Sequence, residues 1–251
     1  MFGEADLTLD GFLGGRLRIL QPRHGYRAAT DPVLLAAAVP ARTGQSVLEL
    51  GCGVGVASFC LGARVPGLAL SGVEVQADYA DLARRNAVAN GMAFSVFDAD
   101  LAALPSELKQ QRFDHVILNP PYLLPHDGTS ADNGGREQAL REATPLAVWL
   151  DVATSRLLPG GYLSLIQLSQ RLADILAGLD RRMGSIEIKP LTSRIGRSSD
   201  RLILRARKGG RAALKLHAPL ILHEGSAHRR DGDSYNAELQ GILRQSAALR
   251  F

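Results

Sequence analysis

Four consecutive residues, Asn119-Pro120-Pro121-Tyr122, carry the most specific chemistry in the 251-residue chain. They follow the stretch 113–118, in which Phe113, Val116, Ile117 and Leu118 read as a buried strand. Two prolines stop that strand and fix the backbone. Pro120 also holds Asn119 in extended conformations. The corner so formed offers an amide side chain, free carbonyls and an aromatic ring. The Asn119 side-chain oxygen and the Pro120 carbonyl suit the two N–H bonds of an exocyclic amine. Tyr122 suits stacking on the plane that carries it. With both protons accepted, the nitrogen lone pair is left to point at an electrophile. Catalysis by such a corner is positioning and electrostatics, not proton removal before attack. The alternative is a turn with a structural role only.

A second constellation points to the electrophile. Val47-Leu48-Glu49-Leu50-Gly51-Cys52-Gly53-Val54-Gly55 reads as strand, glycine turn and helix start. Glycines let a ligand approach the backbone closely, and the helix start offers free N–H groups. Glu74 ends the next strand, 19 residues after Gly55, and Val75 follows it. A carboxylate in that place accepts both hydroxyls of a ribose. Dinucleotide sites share the plan, but with Gly-x-Gly-x-x-Gly spacing and a pyrophosphate on the helix end. Here the spacing is Gly-x-Gly-x-Gly and Glu49 precedes it. That carboxylate would repel pyrophosphate and suit an ammonium, which favours S-adenosylmethionine (SAM) over NAD. A dinucleotide, or a turn needed only for packing, stays open at this point. After the third strand, Asp100 is the expected acceptor for the adenine amine and Asp98 the alternative. Cys52 lies in the loop itself, and both it and Cys60 read as small buried side chains.

The elements that must position these groups alternate. Strands are expected at 46–50, 69–75, 93–97, 113–118, 161–168, 185–189 and 201–207, and helices at 55–64, 76–90, 136–157 and 170–182. Asp31-Pro32 opens a further helix, with Asp31 as N-cap. Such alternation implies an α/β fold, a parallel sheet between two helical layers. The short 190–200 connection makes the last two strands an antiparallel pair. The division expected is an N-terminal segment (1–30) over the site, a main domain (31–207) and a basic extension (208–251) on the same body. Trp149 sits among apolar residues and reads as core. The polar, Gly-rich stretch 123–135, with His126, reads as a closing loop, and Arg141 as part of a solvated helix face.

Composition narrows the class. The chain is 46% hydrophobic and 22% charged, which excludes disorder, collagen and coiled coil. No apolar run nears the ~20 residues of a membrane span. Two cysteines without metal-ligand spacing argue against a zinc site or disulfide framework, and no metal is expected. With no signal peptide at its start, the chain is expected in the cytoplasm. Charge is uneven: residues 1–180 have 14 Lys/Arg against 19 Asp/Glu, and residues 181–251 have 15 against 6. A basic last quarter suggests a polyanionic partner.

Taken together, the chain resembles the class I SAM-dependent methyltransferases that carry Asn-Pro-Pro-Tyr for amino-group methylation. Among these it is most similar to the bacterial valine-tRNA adenine-N6 methyltransferases of the methyltransferase small domain family. The likeness covers nearly the whole chain, including Gly25-Tyr26-Arg27-Ala28-Ala29-Thr30-Asp31 and Gly196-Arg197-Ser198-Ser199-Asp200-Arg201. It implies a Rossmann-like, three-layer fold with a seven-stranded sheet, mostly parallel, whose last strand is antiparallel. It also implies SAM as cofactor, with Gly51, Gly53 and Gly55 in its loop and Glu74 on its ribose. Asn119, Pro120, Pro121 and Tyr122 would hold the target amine. Tyr26, Arg27 and Asp31 would sit over the methionine end and substrate entrance. The implied partner is tRNA, modified at the adenosine 3′ to the anticodon. Arg194, Arg197, Arg201 and Arg205 lead the basic stretch that would contact its phosphates. Arg201, Arg205 and Arg207 share one strand face by period-2 counting. Two other acceptors for the same corner are an rRNA base amine and a protein glutamine amide. About 45 residues before the first expected strand leave little room for the helical domain of the glutamine enzymes.

Overall fold

The structure, a computed structural model, describes residues 2–122, 144–225 and 234–251. The 123–135 loop with His126, and Arg141, lie outside the described residues. The chain opens with a hairpin, β1 (Leu7–Phe12) and β2 (Leu17–Pro22). Then follow α1 (Thr30–Ala38), β3 (Ser46–Leu50), α2 (Val56–Arg64), β4 (Ala69–Glu74) and α3 (Ala77–Ala89). Next come β5 (Phe94–Asp98), α4 (Ser106–Gln110), β6 (Phe113–Leu118), α5 (Leu146–Arg156) and β7 (Leu157–Leu168). The chain continues through α6 (Leu172–Gly178), β8 (Met183–Thr192) and β9 (Ser199–Lys208). It ends with β10 (Lys215–Leu216), β11 (Leu220–Ile221) and α7 (Ala237–Gln245).

All seven expected strands are present, in the order β8-β9-β7-β6-β3-β4-β5. β9 runs antiparallel to both β7 and β8, and the other four pairings are parallel, as the short connection required. The two-residue strands β10 and β11 add to the outer edge of β8, so the sheet is wider than seven strands. A pair of two-residue segments carries no periodicity to read.

The strands at the centre bury apolar side chains on both faces because helices cover both. Val47 and Ile117 face the core under α1, α2 and α3, whereas Leu48, Leu50, Val116 and Leu118 face the one under α4, α5 and α6. Alternation along each strand assigns successive residues to opposite cores. α7 contributes Leu239 and Ile242 to the first core, and the Leu249 amide donates to the Ala37 carbonyl at 2.9 Å.

The hairpin was not legible in the sequence, and side chains of α3 hold it in place. Asn86 and Asn90, one turn apart, each pair an amide with the edge of β2. Asn86 accepts from the Leu20 amide at 2.7 Å and donates to the Leu20 carbonyl at 3.1 Å. Asn90 does the same with Arg18, at 3.0 and 2.9 Å. Two asparagines thus satisfy an exposed strand edge as a neighbouring strand would. Asn86 also donates to the Val54 carbonyl at 3.1 Å, tying the hairpin to the glycine turn. Gln21 binds both backbone groups of Ala28 and so fixes the segment that follows.

Candidate active site

The carboxyl ends of β3, β4 and β6 open into one cleft of about 1060 Å³, part of it open to solvent. This is where open α/β sheets bind ligands. Along one wall runs the glycine turn, where the Cys52 amide bonds the Val73 carbonyl at 2.9 Å. Gly51 has φ +65°, and a Cβ there would stand 2.5 Å from the Trp149 ring. Trp149 is therefore more than core: it walls the cleft, with Nε1 donating to the Thr144 carbonyl at 3.1 Å. Gly53 has φ +53°, and its missing Cβ would meet nothing within 4 Å. The backbone there stands open to a ligand.

Two buried carboxylates flank the turn. Glu74 accepts from the Gly53 amide at 2.8 Å through Oε2 and from the Gln76 amide at 2.9 Å through Oε1. Each oxygen keeps a further lone pair for a ribose hydroxyl. Glu49 accepts from the Ser58 amide at 3.0 Å and the Ser58 hydroxyl at 2.5 Å. Burial pushes its pKa up to about 8, against the lowering effect of Ser58. A buried acid of that kind is best charged next to a cation. Val75 lies at the rim, 53% exposed, and Asp100 also lines the cleft. Asp100 accepts from the Ala102 amide at 2.9 Å, and Asp98 instead pairs with Arg84 outside the cleft. Burial holds the Cys52 thiol well above its usual range, so it serves as a wall and not as a nucleophile.

The Asn-Pro-Pro-Tyr corner faces these groups. Asn119 Oδ1 is buried and has no hydrogen-bond partner among the described residues. Behind the corner, Gln167 on β7 donates to the Pro120 and Pro121 carbonyls at 3.3 and 3.1 Å. Gln167 escaped sequence reading because a glutamine inside an apolar strand has no local signal. Tyr122 donates its hydroxyl to Asp31 at 2.5 Å, and Arg201 pairs with the other Asp31 oxygen. Tyr26 lines the cleft, its amide bonded to the Tyr79 hydroxyl at 2.9 Å.

Several sequence assignments change. Arg27 turns away from the cleft to bond Thr8, the Pro22 carbonyl and Asp10 on the hairpin. α1 begins at Thr30, with no side-chain cap, and so Asp31 is inside the first turn and is not the N-cap. Arg194 is held by the Glu224 and Gly225 carbonyls and by Ser234. Arg205 pairs with Glu187 at 2.7 Å, and its guanidinium lies 3.6 Å from the centre of the Phe251 ring. Arg201, Arg205 and Arg207 do share a face, but the first two are consumed inside the protein. Only Arg197 of the four assigned arginines is exposed. Arg205→Glu would set a carboxylate against Glu187 and abandon the Phe251 ring. The expected loss is about 2–4 kcal/mol, discounting a fully buried pair for partial exposure, measured as a lowered Tm. Loss of RNA binding with Tm unchanged would return Arg205 to a nucleic-acid face.

The cleft decides between the ligands that the glycine turn admits. A pyrophosphate would face Glu49 and Glu74, whereas SAM brings an ammonium and a ribose diol. Sheet order and cleft together define a class I SAM-dependent methyltransferase. The family model described as Methyltransferase small domain matches residues 29–187, and the chain belongs to that family. It is 28% identical over 244 residues to a tRNA1(Val) (adenine(37)-N6)-methyltransferase of Dickeya chrysanthemi, covering 95% of this chain and 94% of the relative. A protein of the same description from Porphyromonas gingivalis is 33% identical over 182 residues, 67% of this chain and 69% of that one. The crystal structure of a predicted O-methyltransferase from Agrobacterium tumefaciens superposes with a TM-score of 0.71. It has 28% identity, over 87% of this chain and 98% of that one. No helix among the described residues is long and apolar enough to cross a membrane.

SAM, when bound, supplies a methyl group on a sulfonium. The protein's part is to hold it and to present an acceptor. Glu74 would take the ribose, Glu49 would face the ammonium, and the open backbone at Gly53 admits the chain between them. Asn119 Oδ1 would accept a hydrogen bond from one amine N–H. The Pro120 carbonyl, with one lone pair used by Gln167, has another for the second proton.

Proposed function

We propose that this protein methylates the exocyclic N6 amine of an adenosine in tRNA, specifically the anticodon-loop adenosine of a valine tRNA. The observation that carries the reading is the buried, unpartnered Asn119 Oδ1 beside the Pro120 carbonyl. An acceptor left unsatisfied in a cleft wall costs free energy unless a ligand N–H meets it. An aromatic ring at the same corner suits a base more than a small aliphatic amine. The named function of the relatives from Dickeya chrysanthemi and Porphyromonas gingivalis supports adenine in tRNA. A loop adenosine is already partly unstacked, so drawing it to Asn119 costs less than extraction from a duplex, where the cost is a few kcal/mol. Asp100 would accept from the adenine of the cofactor. Arg197, on the turn between β8 and β9 at the cleft end of the sheet, keeps the role of phosphate contact. The N-terminal segment would cover the site, and the basic extension would add to the RNA-facing surface. Work on tRNA goes with a cytoplasmic location.

The test offers isotopically labelled SAM with unmodified tRNA, rRNA, a release factor and duplex DNA side by side, followed by digestion of the product. Label recovered as N6-methyladenosine from valine tRNA is the expected result. Label in rRNA or in a protein glutamine would replace this reading.

A further inference from the structure

Tyr122 is joined to two residues that neither its local sequence nor the cofactor cleft accounts for. Its hydroxyl donates to Asp31 Oδ2 at 2.5 Å, and Arg201 pairs with Asp31 Oδ1. The three come from the end of β6, the first turn of α1 and the start of β9. In sequence, Asp31 and Tyr122 are 91 residues apart, and Asp31 and Arg201 are 170. The Asp31 and Arg201 side chains are only 13% and 29% exposed. Asp31, expected from the sequence over the methionine end of the cofactor, instead bonds Tyr122 and Arg201. Both of its oxygens are engaged, it caps no helix, and it is absent from the cleft lining. Arg201 in turn is spent on Asp31 and is not displayed to a phosphate.

We infer that Asp31 and Arg201 are positioning residues, which anchor the Tyr122 hydroxyl and thereby fix the ring face presented to the amine-bearing plane of the substrate. The inference rests on the proposed stacking of that plane on Tyr122. Gln167 already pins the corner's backbone through the two proline carbonyls. What remains free in the corner is the rotation of the tyrosine side chain, which has two torsions. A charge-assisted bond at the far end of the ring fixes the first torsion, and because a phenol O–H lies in the plane of its ring, the fixed place of Asp31 Oδ2 also orients that plane. Arg201, paired with the other carboxylate oxygen, holds Asp31 in place. Among the described residues, the titratable groups that act on the phenol are Asp31, Tyr26 and Arg201. Burial and the Asp31 carboxylate hold the phenol protonated, so its O–H stays a donor to Asp31 and takes no proton from the amine.

Two measurements test the anchor. The first needs no substrate. The chain has five tyrosines, so 13Cζ-tyrosine labelling gives a simple NMR spectrum, in which Tyr122→Phe assigns the Tyr122 signal. The near-isosteric Asp31→Asn is expected to move that signal at neutral pH, and an unmoved signal would overturn the anchor. The second is a double-mutant cycle in kcat, run on whichever amine acceptor the labelled-SAM survey identifies. Asp31→Asn is expected to lower kcat about tenfold to hundredfold in the wild-type background, the scale of a small misplacement. In the Tyr122→Phe background it is expected to change kcat less than twofold, and Arg201→Gln follows the same pattern. SAM affinity stays within twofold throughout. Equal losses in both backgrounds, or a parallel loss of SAM affinity, would overturn the inference. Methylation of an acceptor other than tRNA would displace the proposed substrate while leaving the cycle as a test of the anchor.

Discussion

Asn119→Ala is expected to lower kcat by about a hundredfold to a thousandfold while changing SAM affinity less than twofold. The scale is that of removing a single preorganised acceptor or donor from a reacting centre. Asn119 Oδ1 is buried without a partner among the described residues, so the unliganded protein gains nothing from it. Its contribution appears only when an N–H arrives. Of the two acceptors at the corner, it is the one not already in use, since the Pro120 carbonyl is shared with Gln167. Losing it frees one amine proton to rotate, and the nitrogen lone pair loses its direction. The cofactor side of the cleft is built from the glycine turn and the two glutamates and should be untouched. Single-turnover kinetics and calorimetric titration with SAM, on the same preparation, check both halves. A matching loss of SAM affinity would make Asn119 structural.

Glu74→Ala should act in the opposite way, weakening SAM about 10- to 150-fold. That factor corresponds to the ~1.5–3 kcal/mol of a hydrogen bond to a charged group. Glu74 accepts from two backbone amides, Gly53 and Gln76, so it both shapes the turn and presents its remaining lone pairs. Alanine would free the Gly53 amide and let the open stretch of the turn move. At saturating SAM, kcat should recover to within a few-fold of wild type, because the amine corner stands on other strands. Titration calorimetry reads the affinity directly, and an unchanged Kd would remove Glu74 from the cofactor site.

What could be read from the chain alone was local in its physics. A glycine turn between a strand and a helix is set by backbone freedom over a few residues. Two prolines end β6 wherever it packs, and a continuous apolar run marks a strand covered on both faces. These rules place the sheet, the glycine turn, Glu74 and the 119–122 corner without any coordinates. Partner choice is different, because it depends on which elements meet. Arg201 lies 170 residues from the Asp31 that claims it, and Arg27 turns to Asp10 on a hairpin that no periodicity announced. Arg205 settles on Phe251 and Glu187 because β9 passes between β7 and β8 with the chain end packed beside it. Counting charges along the sequence cannot separate an arginine spent inside the protein from one left for RNA. The same holds for Trp149 and Gln167. Trp149 reads as ordinary core and Gln167 gives no signal, until the fold places one as the wall behind Gly51 and the other as the support behind two prolines. Backbone conformation is decided within a few residues, whereas a side chain's partner is decided by packing between distant ones.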